Sequence, residues 1–232
     1  MIIGHIGVRK GSKGVPGKNF RAFCGRPLID WSLDQLLENK RIDLVVVSTD
    51  DAQILEHSIA RGAFDMGLRP DHLATDAAGK FGVWKHALGV VEATSGPADV
   101  FIDIDATSPM RIMEDIDGAL DLFLAERPDM VMNVAEAEKN PYFNLLEVDA
   151  TGALHVSKPL SGGVVARQQA PKVYEHAAAT YVLDPAYLKR SSGLFEGRVL
   201  PHVVPTERSV DIDSPIDFKI AEFLMSERLA GR

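Results

Sequence analysis

The sequence predicts a three-layer α/β domain built on a mostly parallel sheet. Three observations carry that expectation. Short continuous apolar runs recur at strand length, the pattern of parallel strands covered on both faces. Each of the early runs is followed by a loop and a helix-length segment, the β-loop-α rhythm of α/β proteins. The composition, 46% apolar and 25% charged over 232 residues with a single cysteine, is that of a globular chain and not of a disordered, collagen-like or disulfide-stapled one.

The elements follow in order. Ile2 to Val8 reads as a short buried strand, and the loop RKGSKGVPGKN comes next. Pro27 to Asn39 reads as a helix: Pro27 suits a first turn, and Leu28, Trp31, Leu33, Leu36 and Leu37 gather on one face. Leu44 to Ser48 is a second apolar strand, Asp51 to Arg61 a helix closed by Gly62, and Phe81 to Thr94 another helix. Val100 to Ile104 is a strand, Met113 to Glu126 a helix and Met130 to Ala135 a strand. The rhythm then changes. Asn140 to Ser157 alternates apolar residues around the turn-like Asp149–Gly152, a hairpin signature. A strand at Ala179 to Leu183 and a helix at Pro215 to Arg228 return to the earlier pattern. One domain over residues 1–232, with an excursion at about residues 138–172, accounts for all of this.

Charge is distributed unevenly. Arg9, Lys10, Lys13, Lys18, Arg21 and Arg26 all precede the first acid, Asp30, although the chain as a whole carries −8. An acidic chain is no general nucleic-acid binder, and a local basic loop within it points to one highly charged anion. The apolar start precedes the basic stretch, the wrong order for a secretory leader, and no apolar run approaches the ~20 residues of a membrane helix. The expectation is a soluble cytoplasmic protein.

Three constellations carry chemistry. The loop from Arg9 to Asn19 follows a strand and precedes a helix. Its glycines let backbone N–H groups curl round an anion, while its cations and Ser12 add charge and a hydroxyl donor. Polyphosphate is the natural guest. The loop is not a Walker motif, since Ser12 stands where the first glycine belongs and Asn19 where Ser or Thr belongs. Nor is it a dinucleotide fingerprint, because G-x-G-x-x-G is absent. Second, two D-I-D triplets, Asp103/Asp105 and Asp211/Asp213, each close an extended segment and present two carboxylates on one face. Aspartates also serve as strand ends and helix caps, but two such pairs beside a polyphosphate loop suit Mg²⁺. Third come two polar turns, Thr107-Ser108-Pro109-Met110-Arg111 and Arg167-Gln168-Gln169-Ala170-Pro171. The seven histidines show no ligand spacing, and Cys24 reads as a small buried residue.

The ordered series R-x-G-S-K-G-x-x-x-K-N, S-T-D at 48–50, R-P-x-x-L-A-x-D at 69–76, T-S-P-x-R at 107–111, R-Q-x-x-P at 167–171 and the final D-I-D resembles the acylneuraminate cytidylyltransferases, the CMP-sialic acid synthetases. The CMP-Kdo enzymes are more distant relatives. The resemblance implies a Rossmann-like nucleotidyltransferase fold with a protruding β-hairpin dimerisation arm, and a homodimer that exchanges it. It implies the reaction of CTP with a 2-keto-3-deoxy sugar acid to give CMP-sugar and pyrophosphate. By motif match, Arg9, Gly11, Ser12, Lys13 and Lys18 would hold the triphosphate and Asn19 the nucleoside. Arg69 and Asp76 would lie around the nucleotide. Asp105, Thr107, Ser108 and Arg111 would line the substrate site, with Arg167 and Gln168 reaching sugar or phosphate, Arg167 across the dimer. Asp211 and Asp213, with Asp105 as a further candidate, would carry Mg²⁺ or Mn²⁺; Arg9, Lys13, Lys18 and Asp211 would be catalytic. Neither nucleic acid nor a membrane is an expected partner. The chain departs from the family pattern at Asp105, where Gln is usual, at Ala177-Ala178, where Asn-Gly is usual, and at Lys80. These positions resemble those that touch the sugar, so the series leaves the sugar acid open. A CMP-Kdo-type enzyme, another sugar nucleotidyltransferase and an inactive nucleotide-binding homologue are the alternatives.

Overall fold

The computed structural model describes residues 1–11, 14–75, 77–164 and 166–231. Its strands are β1 (Ile2–Gly7), β2 (Ala22–Phe23), β3 (Arg26–Pro27), β4 (Leu44–Ser48), β5 (Val100–Ile104), β6 (Met130–Glu136), β7 (Leu146–Val148), β8 (Leu154–Val156), β9 (Tyr174–Leu183) and β10 (Val199–Val203). Its helices are α1 (Leu28–Glu38), α2 (Ala52–Ala60), α3 (Lys80–Ser95), α4 (Met113–Glu126), α5 (Pro185–Arg190) and α6 (Pro215–Leu229). Six strands form the central sheet in the order β10-β6-β9-β5-β1-β4. Five run parallel, and β9 runs against its neighbours β5 and β6.

Side-chain alternation sorts the core into two faces. On one face Ile6, Val45, Val47, Ile102 and Ile104 pack with Ile29, Leu33 and Leu36 of α1 and with Ile116, Leu120 and Phe123 of α4. On the other, Ile3, Val46, Phe101 and Tyr181 pack with Phe81, Trp84 and Leu88 of α3 and with Tyr187 of α5. A third cluster fastens Phe218, Ala221 and Met225 of α6 over Phe23, Leu28, Met110 and Ile212. Among the described residues no helix is long and apolar enough to cross a membrane.

The expected strands and helices appear at their expected places, and the structure adds to them. β9 starts at Tyr174, five residues before the apolar run at Ala179, because its first residues are exposed and carry polar side chains. β10 includes Pro201, tolerated because the strand lies at the sheet edge. The hairpin forms as β7 and β8, turned at Asp149, whose Oδ1 accepts from the N–H groups of Thr151 and Ala153 at 2.8 and 3.0 Å. It is a separate two-stranded ribbon, with Leu145, Leu146, Val148 and Leu154 exposed.

Candidate active site

The chain leaves β1 for β4 on one side, then recrosses β1 to form β5 on the other. Open α/β sheets bind ligands where connections part in this way, beyond the carboxyl ends of the strands. Two loops emerge there: Val8 onward from β1 and Asp105 onward from β5. The Ser209–Asp213 segment lies across them. The Ile212 N–H donates to the Thr107 carbonyl at 2.9 Å, and the buried Lys18 ammonium donates to the Ile212 carbonyl. A Cβ on Gly14 would collide with the Asp213 carbonyl, so only glycine lets these segments touch. A capping box fixes the start of α6: Ser214 Oγ accepts from the Asp217 N–H at 3.4 Å, and the Asp217 carboxylate accepts from the Ser214 N–H at 2.7 Å. Asp213 is thereby held at the mouth.

The resulting cleft has two lobes. The first, about 320 Å³, is lined by Arg9, Gly14, Lys18, Asn19, Thr107 and Asp213. The second, about 180 Å³, is lined by His5, Arg69, Ala78, Lys80, Trp84 and Asp103. Gly7, Val8, Arg9 and Asp105 line both. Cations and a glycine backbone suit the first lobe to phosphate. Burial lowers the Lys18 pKa, against the pull of Asp211 and Asp213. Asn19 braces the loop by donating to the Arg9 carbonyl at 3.1 Å.

A charged network walls the second lobe. Register places His5 opposite Asp103 and Asp103 opposite Tyr181. His5 Nδ1 lies 2.6 Å from Asp103 Oδ1. Lys80, the first residue of α3, sets its ammonium 2.6 Å from Asp105 Oδ1, 3.4 Å from Asp103 Oδ2 and over the Tyr181 ring at 4.4 Å. One ammonium thus serves two carboxylates. Burial disfavours both charges; Lys80 and the His5 hydrogen bond hold Asp103 below the usual carboxylate range. Asp105, with less support, is pushed up to about 6 by burial and by Asp103. The same carboxylates raise the Lys80 pKa over the opposing effect of its burial.

Asp211 is half-buried, and its Oδ1 has no hydrogen-bond partner among the described residues. Burial raises its pKa, opposed by a hydrogen bond from the Thr107 side chain, and the nearby charge of Asp213 adds to the rise. An orphaned carboxylate oxygen near a second carboxylate is a donor set that a hard divalent cation completes. Among the described residues no three His, Cys, Asp or Glu side chains form a ready cage. Mg²⁺ does not require one, since one or two carboxylates and substrate phosphates suffice.

The other expected residues are placed as follows. Gly11 is exposed and does not line either lobe as described. Ser12, Lys13 and Asp76 lie outside the described residues. Arg69 is buried in the second lobe's wall, its Nε 3.0 Å from Ser48 Oγ and its Nη2 3.0 Å from the Val8 carbonyl. Ser108 Oγ donates to the Ala178 carbonyl at 2.8 Å, beneath the cleft. Arg111 also sits behind the cleft. It is 1% exposed and donates to Gln35 Oε1, the Asp105 and Ala179 carbonyls and Ser32 Oγ at 2.8–3.1 Å. Burial lowers its pKa to about 10. Arg167 and Gln168 line a separate groove of about 830 Å³ with Glu136, Asn140 and Lys172, and Arg167 Nη2 donates to the Glu138 carbonyl at 2.9 Å. Cys24 is part-exposed and not buried. His5, read from the sequence as one of several scattered histidines, is at the centre of the charged row. A lone histidine inside an apolar strand was the available signal.

A family model described as Cytidylyltransferase matches residues 3–192. The chain belongs to the cytidylyltransferase family. It is therefore a nucleotidyltransferase by descent. Among its relatives, the "Post-translational flagellin modification protein B" of Campylobacter coli is 34% identical over 98% of this chain and 96% of its own length. The "CMP-N,N'-diacetyllegionaminic acid synthase" of Campylobacter jejuni is also 34% identical, over 97% of this chain and 95% of its own. A solved CMP:2-keto-3-deoxy-manno-octonic acid synthetase complexed with CTP superposes with a TM-score of 0.72. It covers 98% of this chain and 99% of its own at 15% identity, a likeness of fold.

Proposed function

We propose that this cytidylyltransferase transfers the cytidylyl group of CTP to a 2-keto-3-deoxy sugar acid of the nonulosonic type, giving CMP-sugar and pyrophosphate. The two-lobed cleft at the sheet's switch point carries the reading. One lobe sets Arg9 and Lys18 beside the Gly7 and Gly14 backbone and across from Asp213, the other is small and walled by Trp84, and they meet at Gly7 to Arg9 and Asp105. In this reading the triphosphate occupies the first lobe and the nucleoside reaches the second. The relative named for a CMP-legionaminic acid synthase supports the substrate class.

The anomeric hydroxyl attacks the α-phosphorus. The new P–O bond forms as the bond to pyrophosphate breaks, and the hydroxyl proton passes to water. Positioning and charge neutralisation dominate such a transfer. Arg9 and Lys18 neutralise phosphate oxygens, with Lys13 as a further cation of the same loop. Asn19 keeps the Arg9 carbonyl in place and the loop curled. Asp211 and Asp213 would hold Mg²⁺ or Mn²⁺, which supplies positive charge to the phosphates when bound. The orphaned Asp211 oxygen supports that assignment.

The exposed hairpin supports a homodimer. Leu146, Val148 and Leu154 are more than half exposed on a ribbon of three-residue strands, and an isolated hairpin of that kind is marginal in water. A second subunit is the proposed cover, in a twofold exchange that brings Arg167 to the neighbour's cleft. The reaction is proposed to run in the cytoplasm. Pyrophosphate release is the direct test, measured with CTP, Mg²⁺ and a panel of sugar acids. Release with at least one nonulosonic acid is expected, and none with any sugar acid refutes the reading. Sedimentation at micromolar concentration should give a dimer. Leu146→Asp combined with Leu154→Asp should give a folded monomer.

A further inference from the structure

Helix α6 is apolar on two opposite sides. Phe218, Ala221 and Met225 are buried in the third cluster, while Ile216, Ile220 and Phe223 stand 60, 46 and 63% exposed. Steps of four and three residues put those three on one outer stripe. A helix that is apolar all round belongs inside a structure, and α6 is covered on one side only. The hairpin has the same deficit. Leu146 pairs with Val156 and Val148 with Leu154, and residues that lie opposite or two apart share a face. The four apolar side chains therefore form one face of the ribbon, with Glu147 and His155 on the other. Leu146, Val148 and Leu154 are each more than half exposed, so stripe and ribbon do not cover one another within a protomer.

The two surfaces match in size. The stripe from Ile216 to Phe223 is about 10 Å long, and the ribbon face, two paired strands of three residues, is about 7–10 Å by about 5 Å. A half-bare side chain of this kind offers on the order of 100 Å². Stripe and ribbon together leave about 600 Å² on each protomer and about 1,200 Å² across a twofold pair, where stable specific interfaces begin. Stripe on stripe, or ribbon on ribbon, gives half of that and leaves the other surface bare. Antiparallel stripes would also set Lys219, near their midpoint, against its own copy, a like-charge contact that costs affinity. The ribbon offers Lys219 the opposite sign, since residues 146–156 hold Glu147 and Asp149 and no Lys or Arg.

We infer that the apolar ribbon face of one protomer docks on the Ile216–Ile220–Phe223 stripe of its partner, reciprocally. The inference rests on the homodimer proposed above and names the surface that receives its arm. Helix α6 starts directly after Asp213 and Ser214, at the cleft mouth. An arm seated on it therefore ends beside the partner's cleft, and Arg167 belongs to the same excursion as the ribbon.

The test is sedimentation velocity of the full chain at micromolar concentration. Wild type is expected to be a dimer. Ile220→Lys and Leu154→Glu each set charges into an apolar contact, and each should raise the dimer Kd by about 10²-fold or more and sediment as a folded monomer. An equimolar mixture of the two should sediment as a dimer again. In that heterodimer one contact opposes lysine to glutamate and the other is wild type, which only ribbon-on-stripe pairing allows. Wild type that sediments as a monomer overturns the homodimer, and this inference with it. A wild-type dimer that survives either substitution, or a mixture that stays monomeric, overturns the docking surface alone. Where either variant does not fold, Ile220→Cys and Leu154→Cys chains, both in a Cys24→Ser background, are mixed and treated with a short bismaleimide. A cross-linked heterodimer is expected, and its absence from a mixture that sediments as a dimer overturns the inference.

Discussion

Arg111 separates a ligand contact from a strut, and Arg111→Met distinguishes them. The side chain makes four hydrogen bonds, to Gln35 Oε1, the carbonyls of Asp105 and Ala179, and Ser32 Oγ. Gln35 returns one, its Nε2 lying 2.6 Å from the Arg111 carbonyl. Hydrogen bonds from a charged donor are worth about 1.5–3 kcal/mol each, but a plain sum overshoots, because burying the guanidinium itself costs several kcal/mol. Removing one side of a buried charged arrangement typically costs about 3–5 kcal/mol. At about 2–4 °C per kcal/mol for a chain of this size, Tm should fall by roughly 6–20 °C. The Kd for CTP, measured well below the new Tm, should change by less than about threefold, a free-energy difference well under the ~1.4 kcal/mol of a tenfold effect. Arg111→Lys keeps the charge but not the planar fork, and should fall between. An unchanged Tm with a tenfold weaker CTP affinity would falsify the strut and return Arg111 to the ligand site.

Three further outcomes follow from the cleft. Gly14→Ala drives a Cβ into the Asp213 carbonyl, and the Asp213 carbonyl carbon would lie only 3.0 Å away. Relief of such overpacking costs about 1–3 kcal/mol, so a lower Tm and a CTP affinity weakened at least severalfold are expected; equality with wild type in both means that the loop and the D-I-D segment do not touch. Asp211→Asn should lower turnover by on the order of 10²-fold and weaken Mn²⁺ binding followed by electron paramagnetic resonance. Mn²⁺ binding indistinguishable from wild type removes Asp211 from the metal site. Asp105, raised to about 6 in the fold, binds its proton more tightly folded than unfolded, so its contribution to stability falls as pH rises from about 4 through about 6. The difference in Tm between Asp105→Asn and wild type should grow in the variant's favour over that window, and a constant difference counts against the raised value.

The elements legible in the sequence are those whose own side chains report their environment. β1, β4, β5 and β6 are apolar because helices cover both faces, and their runs stand out without knowledge of neighbours. The start of β9 and the whole of β10 do not. Tyr174–His176 are exposed, and Pro201 sits inside an edge strand, so only pairing with β6 reveals them. The same division holds in the cleft. The cationic loop and the D-I-D triplets announce their chemistry by residue type. Arg111 and Ser108 announce the same chemistry, yet they lie beneath the site, because a polar turn that must be buried needs internal partners as much as a ligand site needs external ones.

The row His5–Asp103–Tyr181 shows why the rest was hidden. Each residue lies in a strand whose neighbours are core side chains, and their meeting depends on the register of β1 against β5 and of β5 against β9. That register is a property of the assembled sheet. Once it is set, Asp103 is a buried carboxylate that cannot stay ionised alone. It needs the Nδ1 proton of His5 and the ammonium of Lys80, both of which reach it from other elements. Lys80 in turn commits Asp105, a residue common to both lobes. A substitution at any one of these four positions therefore changes the charge facing the ligand at the others. Lys80 and Asp105, both departures from the pattern that the sequence resembles, meet in one ion pair, so each supplies the partner that the other needs.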